Sequence, residues 1–266
     1  MTDPAVGPAP PARAVGGGLP QLPAMTASPP RRLPPGGARR HWQTARVVEV
    51  RPEAARVRTY RLTLPDWQRH VAGQHYVVRL VAADGYRAER SYSVASPPDD
   101  EGHIELTVER LLDGEVSAYL FDAVEPGDEL TVRGPFGGWF VWRGDVPAVL
   151  VGGGSGVVPL MAMLRHRRRR AAEVPVRLVV SVRSPADLIY AGEYGDESTV
   201  VYTRSAPPEC PRPPGRLRAE DLAPALLPGA TVYVCGSAAF AGHAEALVLG
   251  LGVPPGDIRV ERFGPG

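Results

Sequence analysis

The chain has 266 residues, 44% of them hydrophobic, which is enough for one or two domains that each bury a core. Its 30 basic residues are all arginine, and 29 acidic residues reduce the formal charge to +1. This balance argues against nucleic-acid binding and membrane-surface binding, which need a net positive field. The two cysteines, Cys210 and Cys235, are too few for a thiolate zinc site or a plant-type iron–sulfur cluster. They also give no reason to expect a disulfide framework.

The N-terminal 40 residues contain ten prolines and six glycines and almost no β-branched or aromatic residues. Such a segment cannot bury enough apolar surface to offset the entropy of ordering, so residues 1–40 are predicted to be a disordered tail rich in Pro, Gly and Ala. No apolar export segment is present, and glycines and prolines interrupt the long uncharged run at 146–164. We therefore expect a cytoplasmic protein without a membrane span.

Residues 41–143 are predicted to form an antiparallel six-stranded Greek-key β-barrel. Short alternating runs of β-forming residues are separated by turn-rich segments, and one helix is predicted at 115–121 between the last two strands. The predicted strands cover 43–50, 57–64, 74–81, 90–95, 103–110 and 129–133.

Residues 144–266 are predicted to form an α/β domain with a doubly wound parallel sheet, because apolar strands alternate there with helices. The predicted strands cover 146–151, 176–182, 199–203, 231–235 and 258–260. The predicted helices cover 157–171, 219–227 and 238–251.

The segment 152–159, GGGSGVVP, follows a buried strand and opens a helix. Glycines in that position let backbone N–H groups approach a pyrophosphate at the helix N-terminus. The segment does not match a Rossmann fingerprint, since the second strand ends at Ser181-Val182-Arg183-Ser184 without the acid that binds ribose. The glycines would also suit a tight turn without a ligand.

The segment Arg90-Ser91-Tyr92-Ser93 lies at the centre of the barrel pattern. An arginine there is suited to a phosphate, a tyrosine to a flat ring and a serine to a ring nitrogen. The same four residues would also suit an exposed hairpin strand.

Six motifs in this order resemble the ferredoxin–NADP reductase superfamily of two-domain flavoenzymes, over about 225 residues. The first three are RxYS at 90–93, GxxS at 114–117 and GPxG at 134–137. The others are GxGxGxxP at 152–159, CG at 235–236 and ExF at 261–263.

The resemblance implies a cofactor, FAD, and a role for each matching residue. Arg90 would hold a flavin phosphate, Tyr92 would pack on the isoalloxazine and Ser93 would bind the ring nitrogen that accepts hydride. The catalytic residues would be Ser93, Cys235 and Glu261. Cys235 would lie beside the nicotinamide, or else it is a small buried hydrophobic residue. Glu261 would lie near the nicotinamide, or else it is a surface carboxylate. Further cofactor-binding residues would be Ser91, Val108, Arg110, Gly114, Val116, Ser117, Gly154, Ser155, Gly156, Gly236 and Phe263. Phe263 carries a three-residue extension, so it would either cover the flavin or pack in the core.

Three arginines favour NADPH over NADH as co-substrate, although NADH stays possible. Arg183 ends the second strand of the α/β pattern, Arg204 ends the third, and Arg216 follows in a Gly-Arg-Leu segment. NADP needs cations around its 2′-phosphate, whereas NAD favours an acid. In a protein with 30 arginines, random placement would also give this pattern.

The run RHRRRR at 165–170 ends the helix after the glycine loop. It would be either a docking patch for an acidic electron carrier or a solvated helix end whose cations complement the dipole. The histidines show no metal-ligand spacing, so we assign no metal.

We therefore expect a monomeric FAD-dependent NAD(P)H reductase that passes single electrons to a separate protein such as a ferredoxin, flavodoxin, oxygenase or haem protein. The alternatives are a flavin-binding regulatory subunit without NAD(P)H turnover and a module that binds no flavin.

Overall fold

In this computed structural model, which describes residues 41–264, two β-sheets follow one another along the chain. The prediction for the tail at 1–40 lies outside the described residues. No helix among residues 41–264 is both long enough and apolar enough to cross a bilayer. The predicted boundary between residues 143 and 144 falls between the two sheets and stays a prediction.

The first sheet, here called the barrel, has six antiparallel strands in the order β4-β3-β6-β1-β2-β5 and one helix. The end strands β4 and β5 approach each other, with a bridge between Val94 and Leu106 and a 2.8 Å hydrogen bond from the Ala95 amide to the Glu105 carbonyl. The sheet therefore curls into a barrel without closing completely, which confirms the predicted class. Its elements are β1 Gln43–Ala54, β2 Val57–Thr63, β3 His75–Val81, β4 Arg87–Ser93, β5 His103–Glu109, α1 Glu115–Ala123 and β6 Glu129–Phe136.

The second sheet has five parallel strands in the order β11-β10-β7-β8-β9, as predicted. Its central strands are apolar on both faces because helices cover both: Leu150 packs in one core cluster and its neighbour Val149 in another. The chain leaves β7 toward β8 and later returns to its other side at β10, so the strand order reverses between β7 and β10. The elements are β7 Ala148–Gly153, α2 Val157–Arg170, β8 Val176–Val182, β9 Ser198–Tyr202, α3 Ala219–Leu222, β10 Thr231–Ser237, α4 Ala238–Gly250 and β11 Ile258–Phe263.

Several element boundaries differ from the prediction: β1, β6 and β11 run three or four residues longer than predicted, and α3 and β4 differ as follows. Helix α3 was predicted to extend to residue 227 but ends at Leu222 and continues as a 3₁₀ turn, Ala223–Ala225. Pro224 has no N–H to donate into a longer helix. Strand β4 begins at Arg87 instead of residue 90, because it pairs with β3 as far as Val81.

Besides the barrel's own core, one hydrophobic cluster, here called the shared core, spans the barrel and the parallel sheet. Ala95 and Trp142 pack in the same cluster as Val157 and Val158 at the start of α2. The Trp142 amide donates to the Ala72 carbonyl at 3.0 Å. The segment that follows β4 and the first turn of α2 are thereby held together.

Candidate functional site

The glycine segment occupies the point where the order of the parallel strands reverses, where ligands collect on sheets of this class. Strand β7 ends at Gly153, a 3₁₀ turn covers Gly154–Gly156, and α2 begins at Val157. A Cβ placed on Gly156 would lie 2.2 Å from the Cys235 carbonyl oxygen. Only glycine therefore allows α2 to begin this close to the end of β10.

The glycine turn offers a backbone amide to a ligand. Within residues 41–264, the Ser155 amide makes no hydrogen bond, and it stands just before a 14-residue helix. The Gly156 amide is engaged within the 3₁₀ turn itself. The N-terminus of a helix carries partial positive charge and unpaired N–H groups, so the turn suits an anion such as a pyrophosphate.

Cys235 and Glu261 are direct neighbours in the register of β10 and β11. The Cys235 thiol is fully buried, and burial together with the Glu261 carboxylate raises its pKa well above the ordinary value. Burial also raises the pKa of Glu261 to about 7. Within the described part of the chain, the Glu261 carboxylate makes no hydrogen bond or ion pair. The pair therefore forms a desolvated corner beside the glycine turn, in which one group carries a proton and the other exchanges it near neutral pH.

The barrel contributes a second set of polar groups, on β4. Arg90 is exposed, and its guanidinium donates to the carbonyl of the preceding residue, Glu89, at 2.7 Å. Tyr92 is half-buried against the barrel core, and burial raises the pKa of its phenol. Ser93 is buried and Ser91 is exposed. In the part of the chain that the structure describes, neither the Tyr92 nor the Ser93 hydroxyl has a hydrogen-bond partner.

The first turn of α1 forms a cradle. A Cβ on Gly114 would lie 2.3 Å from the Ser117 Oγ and 2.8 Å from the Leu111 Cβ, so glycine permits this close approach without displacing either side chain. The Ser117 hydroxyl donates to the Gly114 carbonyl at 3.0 Å and accepts from the Leu111 amide at 3.2 Å. The backbone amides of Val116 and Ser117 make no hydrogen bond within residues 41–264. Together with the helix dipole, they suit a phosphate.

These donors fit the flavin that the resemblance implies. Arg90 and the α1 amides supply positive groups for a diphosphate, and Tyr92 supplies a half-buried ring. Ser93 supplies a hydroxyl without a hydrogen-bond partner among the described residues, so it is free to bond a ring nitrogen. The donor set therefore matches an anionic group joined to a flat polar ring.

The structure does not bring every predicted residue to this site. The Val108 side chain is buried inside the barrel core, so it is not available to a ligand. Arg110 is engaged by Asp122 through Nε and Nη2 at 2.8–3.1 Å, which removes it as a free phosphate ligand. Phe263 pairs in register with Ser237 and packs against the shared core, which agrees with the core interpretation of this residue.

The three coenzyme arginines lie together at the carboxyl ends of β8 and β9. The Arg204 amide donates to the Arg183 carbonyl at 2.9 Å, and the Gly215 amide, next to Arg216, donates to the Tyr202 carbonyl at 3.0 Å. All three side chains are exposed. Within the described residues their guanidinium groups make no hydrogen bond or ion pair, so they are available to a phosphate.

Sequence reasoning overlooked an acid at this end of the sheet. Asp187 lies in the 3₁₀ turn that follows Arg183, and its carboxylate accepts from the Ser184 hydroxyl at 2.5 Å. The Ser-x-x-Asp spacing is the signal that would have found it. Strand β8 itself still ends at Val182 without an acid, and Asp187 lies five residues beyond it.

The arginine run at 165–170 is largely paired. Arg168 forms an ion pair with Glu197, and Arg169 and Arg170 reach Asp99 at 3.7 and 2.9 Å. Arg165 is buried. These pairs leave few free cations for a docking patch, and the helix end is not simply solvated.

Comparison with known proteins agrees with this geometry. Residues 44–141 match the model of the oxidoreductase FAD-binding domain, and residues 150–246 match that of the oxidoreductase NAD-binding domain. The chain belongs to the ferredoxin–NADP reductase superfamily. Its cofactors are accordingly FAD and a nicotinamide coenzyme, and the matches do not distinguish NADPH from NADH.

Relatives of this superfamily member include the reductase component of propane 2-monooxygenase from Rhodococcus jostii, which is 29% identical over 194 residues. That match covers 67% of this chain and 52% of the relative, so the chain spans about half the length of the curated relatives it matches.

Two solved structures extend the comparison. The flavohem-like FAD/NAD-binding domain of nitric oxide dioxygenase from Vibrio cholerae superposes with a TM-score of 0.75 at 25% identity, over 84% of this chain and 98% of that one. The Amycolatopsis cytochrome P450 reductase GcoB gives 0.72 at 28% identity, over 86% and 72% of the two chains.

Proposed function

We propose that this protein is an FAD-dependent reductase that passes hydride from NADPH, or NADH, to its flavin and then single electrons to a separate protein. The observation that carries the proposal is that both nucleotide sites converge on one strand. Cα atoms of β5 come within 8 Å of the glycine turn Gly154–Gly156, and the chain runs on from the end of β5 to the cradle at Gly114.

Bound FAD supplies the redox chemistry, since it accepts a hydride and can release electrons one at a time. The chain supplies binding and orientation. Arg90 and the amides of Val116 and Ser117 bind the diphosphate, and Tyr92 packs against the ring. The Ser93 hydroxyl donates to a ring nitrogen. Because these groups lie on a strand and on a helix end, they fix the flavin before the coenzyme arrives.

The coenzyme occupies the carboxyl ends of the parallel strands in this proposal. The Ser155 amide binds its pyrophosphate beside Gly154, and Cys235 lies beside the nicotinamide. Glu261 holds a proton near the same ring at neutral pH. The unpaired guanidinium groups of Arg183 and Arg204 support NADPH as the preferred donor.

The electron acceptor lies outside the present sequence in this proposal. Two cysteines are fewer than an iron–sulfur cluster needs, so the present sequence does not itself supply such an acceptor. Two relatives, a monooxygenase reductase component and a cytochrome P450 reductase, support an oxygenase or haem protein as the acceptor. We further propose a cytoplasmic monomer, which size-exclusion chromatography would test.

Anaerobic titration of the FAD-loaded protein tests the proposal. NADPH should bleach the flavin absorbance with one equivalent, and added ferredoxin or cytochrome should restore it. Flavin that stays oxidised with both NADPH and NADH would indicate a regulatory subunit. Protein that retains no flavin would refute the assignment of the barrel.

A further inference from the structure

Arg165 joins the parallel sheet to the barrel. It lies on α2, and its side chain is 13% exposed. Its Nε donates to Glu193 at 2.9 Å, on the same side of the interface. Its Nη1 donates across the interface to the Ala95 carbonyl at 2.8 Å and to Glu105 at 3.1 Å. One guanidinium therefore bridges two carboxylates, each carried by a different sheet.

Tyr190 makes a second connection beside it. Its hydroxyl hydrogen-bonds Thr107 Oγ1 on β5 at 2.5 Å, and that oxygen also hydrogen-bonds Thr59 Oγ1 at 2.7 Å. The Arg165 guanidinium lies over the Tyr190 ring at 4.7 Å. Tyr190 has φ of 60°, the left-handed conformation that is uncommon for a residue with a bulky side chain. The surrounding contacts hold this conformation in place.

The two sides of this connection are continuous with the two nucleotide sites. On one side, α2 starts at the glycine turn and carries Arg165 two turns later. On the other side, β5 carries Glu105 and Thr107 and leads to the cradle at Gly114. Helices and strands transmit displacement as rigid bodies, so a shift at Arg165 moves one site relative to the other.

We infer that Arg165 and Tyr190 are positioning residues, which set the distance and angle between nicotinamide and flavin and bind neither. The inference rests on the proposed function. The apolar core that includes Ala95 and Val157 already holds the sheets together. A buried ion pair adds little net stability, because desolvation offsets most of the attraction. Its directional hydrogen bonds instead select one arrangement of the two sheets.

The test compares Arg165→Met with Arg168→Met in the FAD-loaded protein. Arg168 is a matched control, because it loses the same charge from the same helix and its partners, Glu197 and the Glu193 carbonyl, lie on its own side of the interface. In stopped-flow mixing with NADPH, Arg165→Met should reduce the flavin about tenfold to a hundredfold more slowly, the loss that a displacement near 1 Å produces. NADPH affinity should stay within about twofold, because the coenzyme contacts are retained.

Tyr190→Phe covers the case in which Arg165→Met does not fold. It keeps the ring and loses one hydrogen bond, so reduction should slow about fivefold. Both variants should also weaken the long-wavelength absorbance that reports stacking of nicotinamide on flavin.

A readout that does not depend on turnover separates this inference from the proposed function. Amide hydrogen exchange in β5 should accelerate in Arg165→Met and not in Arg168→Met. If wild-type protein is not reduced by NADPH, the proposed function is wrong, and the exchange data still test the connection. The inference would be overturned if Arg165→Met and Tyr190→Phe both kept the wild-type rate of flavin reduction and the wild-type amide exchange. It would also be overturned if Arg168→Met slowed flavin reduction as much as Arg165→Met does.

Discussion

Replacing Gly156 by alanine tests whether the glycine turn is a requirement of packing. The added Cβ would lie 2.2 Å from the Cys235 carbonyl oxygen and 2.5 Å from its carbon. Both atoms belong to the backbone of a central strand, so neither can rotate away. An ordinary carbon–oxygen contact is about 3.3 Å, so the start of α2 must move by about 1 Å.

This displacement should be costly. Overpacking a well-packed site costs about 1–3 kcal/mol, and a clash with backbone falls at the upper end of that range. Gly156→Ala should therefore lower the free energy of unfolding by about 3 kcal/mol. It should also weaken coenzyme binding, because the shifted turn carries the Ser155 amide that binds the pyrophosphate.

Urea denaturation of the FAD-loaded protein measures the first effect, and equilibrium titration with NADP⁺ measures the second. Gly242→Ala is the control, since nothing lies within 4 Å of a Cβ at that exposed position in α4. That variant should be stabilised by up to about 1 kcal/mol through helix propensity. If Gly156→Ala unfolds at the wild-type urea concentration and binds NADP⁺ normally, the packing argument is wrong.

Three further predictions concern single side chains. Arg90→Ala should lose FAD on desalting, because a charge-assisted phosphate contact worth about 1.5–3 kcal/mol is removed. The ratio of flavin absorbance to protein absorbance measures this loss, and unchanged FAD occupancy would count against the assignment. Arg204→Ala should raise the Michaelis constant for NADPH about tenfold or more and that for NADH little, because only NADPH carries the 2′-phosphate. Equal effects on both constants would remove the basis for proposing NADPH as the preferred coenzyme. The free energy of unfolding of Glu261→Gln, relative to that of the wild type, should increase as the pH is raised from 5 to 8. The native pKa of about 7 lies above the ordinary 4.5, so the native carboxyl keeps a proton that the unfolded chain releases, and wild-type stability falls as pH rises across that interval. Parallel denaturation curves at both pH values would contradict this prediction.

The order of elements was predictable because both sheets follow simple periodicities. Strand β3 alternates buried and half-buried residues, whereas β7 is a continuous buried run and β8 is interrupted only at Arg177. The motifs also identified the glycine turn, the α1 cradle and the β4 donors, since each depends on local backbone geometry.

Contacts between distant segments could not be predicted. The Arg110 pair with Asp122 and the Arg165 bridge to Glu105 join residues 12 and 60 positions apart, and nothing in local spacing indicates them. The early end of α3 was missed for a different reason, because the proline rule was available and was not applied to Pro224. Incomplete closure of the barrel depends on strand curvature, which composition does not encode.

The chemistry of Cys235 restricts how this corner of the protein can react. A thiol that is enclosed and holds its proton is a poor nucleophile, because alkylating agents and peroxides attack the thiolate. We therefore expect the Cys235 sulfur to pack as a small apolar group and not to form covalent adducts. Oxidants that consume an exposed cysteine would thus leave this corner of the protein unchanged.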